Sequence, residues 1–216
     1  MVHIETRSVI SCAKHISRCA GNKITMTQQI LTYLEQNLKP SRLAHTMNVA
    51  DLARTLCEKH GIDGEKGYIA GLLHDCTKQK STAEQLTLIE NYNIILEYTV
   101  ENMEPCLHAD TGAEVAKDVF GIGDDIYDAI KYHTLGRKNM SDLEKIIYIA
   151  DKCEVGRDSQ LEKAPLWRKM AGENLDFALL DIITDNIAYL ATKGARPHAN
   201  TLELFSQLKL SIQKEV

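Results

Sequence analysis

The chain has no run of roughly 18 apolar residues, the length a bilayer-spanning helix needs, and its first 24 residues carry no signal-peptide hydrophobic region. The expectation is a cytoplasmic protein with no membrane partner. Its six cysteines, at positions 12, 19, 57, 76, 106 and 153, form no C-x-x-C pair. That argues against a zinc ribbon or a thioredoxin-like redox site and leaves most of them as small buried hydrophobes. Positive charge is also in deficit, with 25 Lys and Arg against 30 Asp and Glu and a formal charge of -5. Broad electrostatic binding to nucleic acid is disfavoured, while a few local cations remain available for phosphate groups. Neither a G-x-G-x-x-G fingerprint nor a Walker loop is present, and strand-like alternation is scarce and short.

What is present is helical periodicity in a chain of 216 residues, enough for one well-buried core and too few for two comfortable domains. The expected fold class is all-α, a single helical bundle over residues 25–216. Residues 1–24 are basic, with Arg7, Lys14, Arg18 and Lys23 against Glu5, and lack an amphipathic period. They are expected to be an appended arm, an organelle-targeting segment or a start codon set too far upstream being the other readings. From Met26 the spacing Met26, Ile30, Leu34, Leu38 predicts a helix, and Pro40 separates it from a second one starting near Ser41. Gly61 closes that helix, and the next is expected from about Asp63 to His74. Ser81 with Glu84, and Ser141 with Glu144, have capping-box spacing and announce two further helices. The polar stretch from Gly156 to Lys169, with Pro165 and the single Trp167, is expected to wander over the surface; a long helix ending at Gly194 and a last one through Leu202, Phe205, Leu208 and Ile212 complete the chain.

The chemistry concentrates in His74-Asp75, which follows the apolar run Ala70-Gly71-Leu72-Leu73 and so places two polar ligands at the end of a buried segment. On the preceding helix His45 shares an inward stripe with Val49, Leu52 and Leu56, while Asn48, Asp51, Thr55, Glu58 and Lys59 are assigned to the outer side. His133 repeats the pattern with Ile126, Ala129 and Ile130, and Asp151 with Leu143 and Ile147; His108 lies between. Each has a bland reading, since an inward histidine is more often a satisfied core residue than a ligand. That reading has to be invoked five times, and burying uncompensated carboxylates costs several kcal/mol, which a divalent cation offsets.

Neutral imidazole with carboxylate suits iron, manganese, zinc or cobalt, whereas magnesium prefers more oxygen; iron or manganese is the better match. By lowering the pKa of water, such an ion supplies a nucleophile near neutral pH, which is hydrolytic chemistry. Arg42 lies three residues before His45, Lys78 four after His74, and Arg157 just past Asp151. Guanidinium forks and an ammonium at these places fit a phosphate substrate, against the bland reading that each is a solvated cation.

These residues resemble the HD-domain phosphohydrolase superfamily and, within it, the YqeK-type symmetrical hydrolases of dinucleoside tetraphosphates. The resemblance covers about Thr27 to Leu208. It is carried by Arg42-x-x-His45, by Gly71-Leu72-Leu73-His74-Asp75-Cys76-Thr77-Lys78, and most specifically by Ala129-Ile130-Lys131-Tyr132-His133-Thr134 with Met140-Ser141-Asp142-Leu143-Glu144-Lys145-Ile146-Ile147-Tyr148-Ile149-Ala150-Asp151. It implies metal ligation by His45, His74, Asp75 and Asp151, iron as the metal, and phosphate contacts from Arg42, Lys78 and Arg157. Residues placed like His108 and His133 hold a second ion in two-metal relatives, with Asp75 bridging; here they bind either that ion or substrate phosphate. Asp75, Lys78, His108 and His133 are the expected catalytic groups. Thr134 and the turn Gly194, Ala195, Arg196, Pro197, His198 are expected beside the nucleotide. One departure is Glu154-Val155-Gly156-Arg157, where the family commonly has a proline after the glutamate. The implied function is hydrolysis of diadenosine tetraphosphate to two ADP by a homodimer. The alternatives are a phosphatase or phosphodiesterase of other nucleotides, or a nucleotide-binding regulator without turnover.

Overall fold

Thr25 caps the first helix by a capping box, its hydroxyl accepting from the Gln28 amide while the Gln28 side chain accepts from the Thr25 amide. This helix, α1 (Met26–Asn37), opens the computed structural model of the protein, which describes residues 24–215. The expected arm over residues 1–24, apart from Ile24, lies outside the described residues. Pro40 then occupies the first turn of α2 (Pro40–Lys59), where its missing N–H has no intrahelical partner to lose. Gly61, at φ +72°, turns the chain through the left-handed region into α3 (Gly64–Leu73), capped by Asp63.

The contact between α2 and α3 is unusually close, and small residues permit it. A Cβ on Gly67 would lie 2.8 Å from the Ala53 carbonyl oxygen, and one on Gly71 would lie 2.5 Å from the Ala50 Cα. Backbone therefore meets backbone, and this brings His45 on α2 beside His74 at the end of α3. Beyond a turn come α4 (Thr82–Tyr92), with the Ser81 capping box, and the short α5 (Val100–Met103). A single 3-10 turn leads into α6 (Leu107–Phe120), whose first turn holds His108; α7 (Asp124–Lys131) ends just before His133.

Helix α8 (Asp142–Cys153) runs through the middle. Ile146, Ile147, Tyr148, Ile149 and Ala150 are fully buried in succession, as expected of a helix covered all round by α2, α3, α7, α9 and α10. The remaining helices are α9 (Ala164–Ala171), α10 (Leu175–Thr192) and α11 (Ala199–Glu215). No strand occurs among the described residues, in agreement with the all-α expectation. No helix among them is long and apolar enough to cross a membrane.

The stretch expected to wander does so only at its start. Pro165 begins α9 instead of breaking structure, and Trp167 is 3% exposed with its indole N–H donating to Asp181 at 2.7 Å. The apolar positions Ala164, Trp167 and Ala171 recur at helical spacing, a signal that the surrounding charges masked.

Candidate active site

Five elements deliver the polar residues to one point. His45 comes from α2, His74 and Asp75 from the end of α3, His108 from the start of α6, His133 from the turn after α7, and Asp151 from the last turn of α8. His45 Nε2 stands 3.1 Å from Asp151 Oδ1 and 3.9 Å from Asp75 Oδ2; His74 Nε2 stands 3.7 Å and 3.5 Å from the same two atoms. Ligands about 2.1 Å from a shared ion sit roughly 3 to 4 Å from each other, so these four donors have the spacing of a coordination shell. A second group, His74, Asp75 and His133, is equally close-set, and His108 Nε2 reaches Asp75 Oδ1 at 3.1 Å. The site thus assembles all six residues expected as ligands.

Hydrogen bonds at the far side of each ring test whether a cation belongs there. His74, His108 and His133 donate Nδ1–H to the carbonyls of Gly71, Pro105 and Ile130 at 2.7, 2.9 and 2.6 Å. A carbonyl only accepts, so a neutral ring here presents Nε2 as a lone pair. The Nε2 lone pairs of His108 and His133 then face one another at 3.1 Å, and that of His108 also faces a carboxylate oxygen. His74 Nε2 is fully buried with no hydrogen-bond partner. Acceptor facing acceptor, in a buried site, is the pattern a metal ion resolves.

The electrostatics agree. Burial pushes the Asp75 carboxyl up, but His74 and His108 more than reverse this and hold it well below the ordinary carboxylate range. For Asp151, burial is outweighed by Lys152, His45 and His74, again with a net depression. Burial lowers His108 and, further, His133, the latter reinforced by the neighbouring His108 and His74; both are held neutral. Burial also lowers His74, yet Asp75 and Asp151 carry its pKa above the ordinary histidine value. Anionic carboxylates beside the neutral imidazoles of His108 and His133 belong to the donor set of a divalent transition metal.

Cations ring this cluster. Arg42 donates to Asp75 Oδ2 at 2.8 Å, Arg157 to Asp151 Oδ1 at 3.3 Å, and Lys78 Nζ lies 3.2 Å from the Pro105 carbonyl and from His108 Nδ1. The 155–157 turn keeps Arg157 on the site despite lacking the proline. A cleft of about 300 Å³ opens past Arg42, His45, Asn48 and Arg157, and another of about 240 Å³ past Lys78, Lys80, Gln85 and His108. A residue lining each cleft contacts a different oxygen of Asp75, Arg42 meeting Oδ2 at 2.8 Å and His108 meeting Oδ1 at 3.1 Å.

Three groups at the site lie outside the sequence-based set. Lys152 pairs with Asp151 Oδ2 at 2.6 Å; its proximity in sequence to Asp151 was the available signal. Glu154 is 2% exposed and holds both His45 and Asn48. Asn48, assigned to the outer side, instead faces the site because position i+3 adjoins His45 on the helix surface. Thr134 adjoins Cys106 near Lys78. No hydrogen bond or ion pair joins the turn Gly194, Ala195, Arg196, Pro197, His198 to the metal-type cluster among the described residues; His198 packs edge-on against Tyr98, and Thr201 ties α11 to the Leu135 carbonyl at 2.7 Å.

Residues 42–156 match the family described as HD domain. The chain is 34% identical over 184 residues, 83% of its length and 95% of the relative's, to the symmetrical bis(5'-nucleosyl)-tetraphosphatase of Halalkalibacterium halodurans. It is 32% identical over 182 residues to the Bacillus subtilis protein of the same name, covering 84% of this chain and 96% of that one. The crystal structure of a protein of Clostridium acetobutylicum, described as a predicted HD superfamily hydrolase involved in NAD metabolism, superposes with a TM-score of 0.81 at 37% identity, over 88% of this chain and 100% of the other.

Proposed function

The chain belongs to the HD domain family, and from that premise we propose that it cleaves diadenosine tetraphosphate between its two central phosphorus atoms, giving two ADP. The observation that carries this reading is the six-residue cluster of inward imidazoles and carboxylates, ringed by Arg42, Lys78, Lys152 and Arg157 and bordered by two clefts, one lined by His45 and the other by His108. A substrate with an adenosine at each end of a polyphosphate needs an approach on both sides of the bond to be broken, and the two clefts suit that shape.

His45, His74, Asp75 and Asp151 are assigned as the primary metal ligands, with iron as the metal and manganese as the alternative. His108 and His133 are assigned to a second ion or, where a phosphate draws a proton onto Nε2, to a phosphate oxygen, with Asp75 between the two groups. When bound, a divalent ion supplies positive charge at the phosphoryl group and makes water acidic enough to attack near neutral pH. The protein's own side chains do the rest. Arg42 and Arg157 lean on the carboxylates and are placed to fork onto phosphate oxygens in the first cleft, while Lys78 and Lys152 neutralise charge that builds on the departing phosphate. Because burial holds His108 and His133 neutral, they suit ligation or acceptance better than protonation of the leaving oxygen. Thr134 and the turn of residues 194–198 are assigned to the nucleoside, reached through α11. A cytoplasmic homodimer completes the proposal.

The test is chromatography of nucleotides after incubating metal-loaded protein with diadenosine tetraphosphate, alongside metal analysis and an Asp75→Ala control. ADP formation by the wild type, lost together with bound metal in D75A, supports the assignment; an unchanged rate in D75A refutes it. Metal bound with no product would shift the reading to another nucleotide ester or to a binding regulator.

A further inference from the structure

The rings of the cluster are oriented in two different ways. Three of them donate Nδ1–H to the carbonyl of the residue three positions earlier, so local backbone fixes which nitrogen faces inward. His45 has no such carbonyl. Its Nδ1 meets the Oε1 of Glu154 at 3.0 Å, and its Nε2 faces Asp151 Oδ1 at 3.1 Å.

Glu154 is itself held firmly. Its other oxygen, Oε2, accepts from Asn48 Nδ2 at 2.9 Å and from the backbone N–H of Gly156. The side chain is 3% exposed. Gly156 leaves the carboxylate room, since a Cβ there would lie 2.9 Å from Oε2 and 3.0 Å from Oε1. With two donors pinning one oxygen, the carboxylate presents the other, which also lies 3.9 Å from Arg157 Nε, as an acceptor for Nδ1–H of His45.

We propose that Glu154 is a positioning residue that fixes the tautomer of His45, keeping its Nε2 lone pair aimed at the metal position. This rests on the assignment of His45 as a ligand. Carboxylate–imidazole–metal relays orient ligands and raise their basicity, and loss of the outer partner costs roughly 10- to 100-fold in metal affinity.

The geometry yields a discriminating test. In Glu154→Gln, the place of Oε2 still faces two donors, one of them a backbone N–H that cannot turn, so the amide oxygen settles there and the amide NH2 faces His45 Nδ1. His45 is driven to the opposite tautomer, with Nε2–H pointing at the metal position. Glu154→Ala removes the orienting group without forcing the wrong tautomer. A residue that only packed would tolerate the isosteric Gln better than Ala; a tautomer-setting residue reverses the order.

The measurement is titration of wild type, E154Q, E154A and His45→Ala with manganese(II) alone, reading the free ion by electron paramagnetic resonance, with thermal melts to verify folding. Long-range proton–nitrogen NMR of histidine-labelled, zinc-loaded protein reads the His45 tautomer. The expected result is a loss of about 10- to 100-fold in E154Q, at least as large as in E154A, with His45 Nε2 protonated in E154Q and ligated in wild type. Wild-type affinity in E154Q, or a milder loss in E154Q than in E154A, overturns the inference while leaving the metal assignment intact. A wild type that binds no ion, or an H45A variant that binds as well as wild type, overturns the assignment and the inference together.

Discussion

Replacing Gly71 by Ala should damage the site without touching a ligand. The added Cβ would sit 2.5 Å from the Ala50 Cα, 2.9 Å from the Ala50 nitrogen and 3.2 Å from the Ala50 Cβ. Ordinary carbon contacts fall at about 3.5 to 4.0 Å, so α2 and α3 have to separate by roughly 1 Å. The opposing atoms are largely backbone, and no rotamer change relieves the clash. Overpacking costs about 1 to 3 kcal/mol and the upper end applies here. The better helix propensity of Ala returns about 1 kcal/mol, leaving a net loss of about 2 kcal/mol. For a chain of this size that corresponds to a melting temperature lower by roughly 4 to 8 °C. The same displacement carries His74 away from His45, so metal affinity should fall along with stability. Calorimetry and metal titration of G71A measure both. A melting temperature within a degree or two of wild type, with unaltered affinity, would refute the claim that this backbone contact sets the spacing of the ligands.

Metal affinity should rise with pH across the neutral range. Burial favours neutral His74, but Asp75 and Asp151 lift its pKa above the ordinary histidine value, so a proton occupies the ring where an ion must bind. Below that raised pKa each pH unit should weaken binding by up to about tenfold, and proton release on binding, followed in weakly buffered solution, checks the sign. Lys78→Met should leave the fold and metal content intact while lowering kcat/KM for diadenosine tetraphosphate by roughly 100-fold, the usual scale for losing one preorganised donor at developing charge. A K78M enzyme with wild-type steady-state kinetics would remove Lys78 from the reaction.

Much of this molecule was legible in its sequence, for reasons that differ by element. The capping boxes at Ser81 and Ser141 are local hydrogen-bond patterns, and both appear as read. His45, His133 and Asp151 were placed by the apolar stripes they share, since burial is what periodicity reports, and His74 with Asp75 by the apolar run Ala70-Gly71-Leu72-Leu73 before them. His108 lacked such a stripe; its place at the site depends on the turn of residues 104–106, which ends with Lys78 bonded to the Pro105 carbonyl. The helix around Trp167 was missed because its apolar positions are separated by charges and preceded by Pro165. Glu154 and Asn48 were missed because they act through His45, and no one-dimensional pattern shows that a carboxylate at position 154 folds back across 109 residues of chain to meet a ring.

The most direct test of the central claim is hydrolysis of diadenosine tetraphosphate in water enriched in oxygen-18, with mass spectrometry of the nucleotides. Attack at a central phosphorus predicts ADP alone, with one of every two ADP molecules carrying a single heavy oxygen on its terminal phosphate. AMP and ATP as products, or label on AMP, would contradict it.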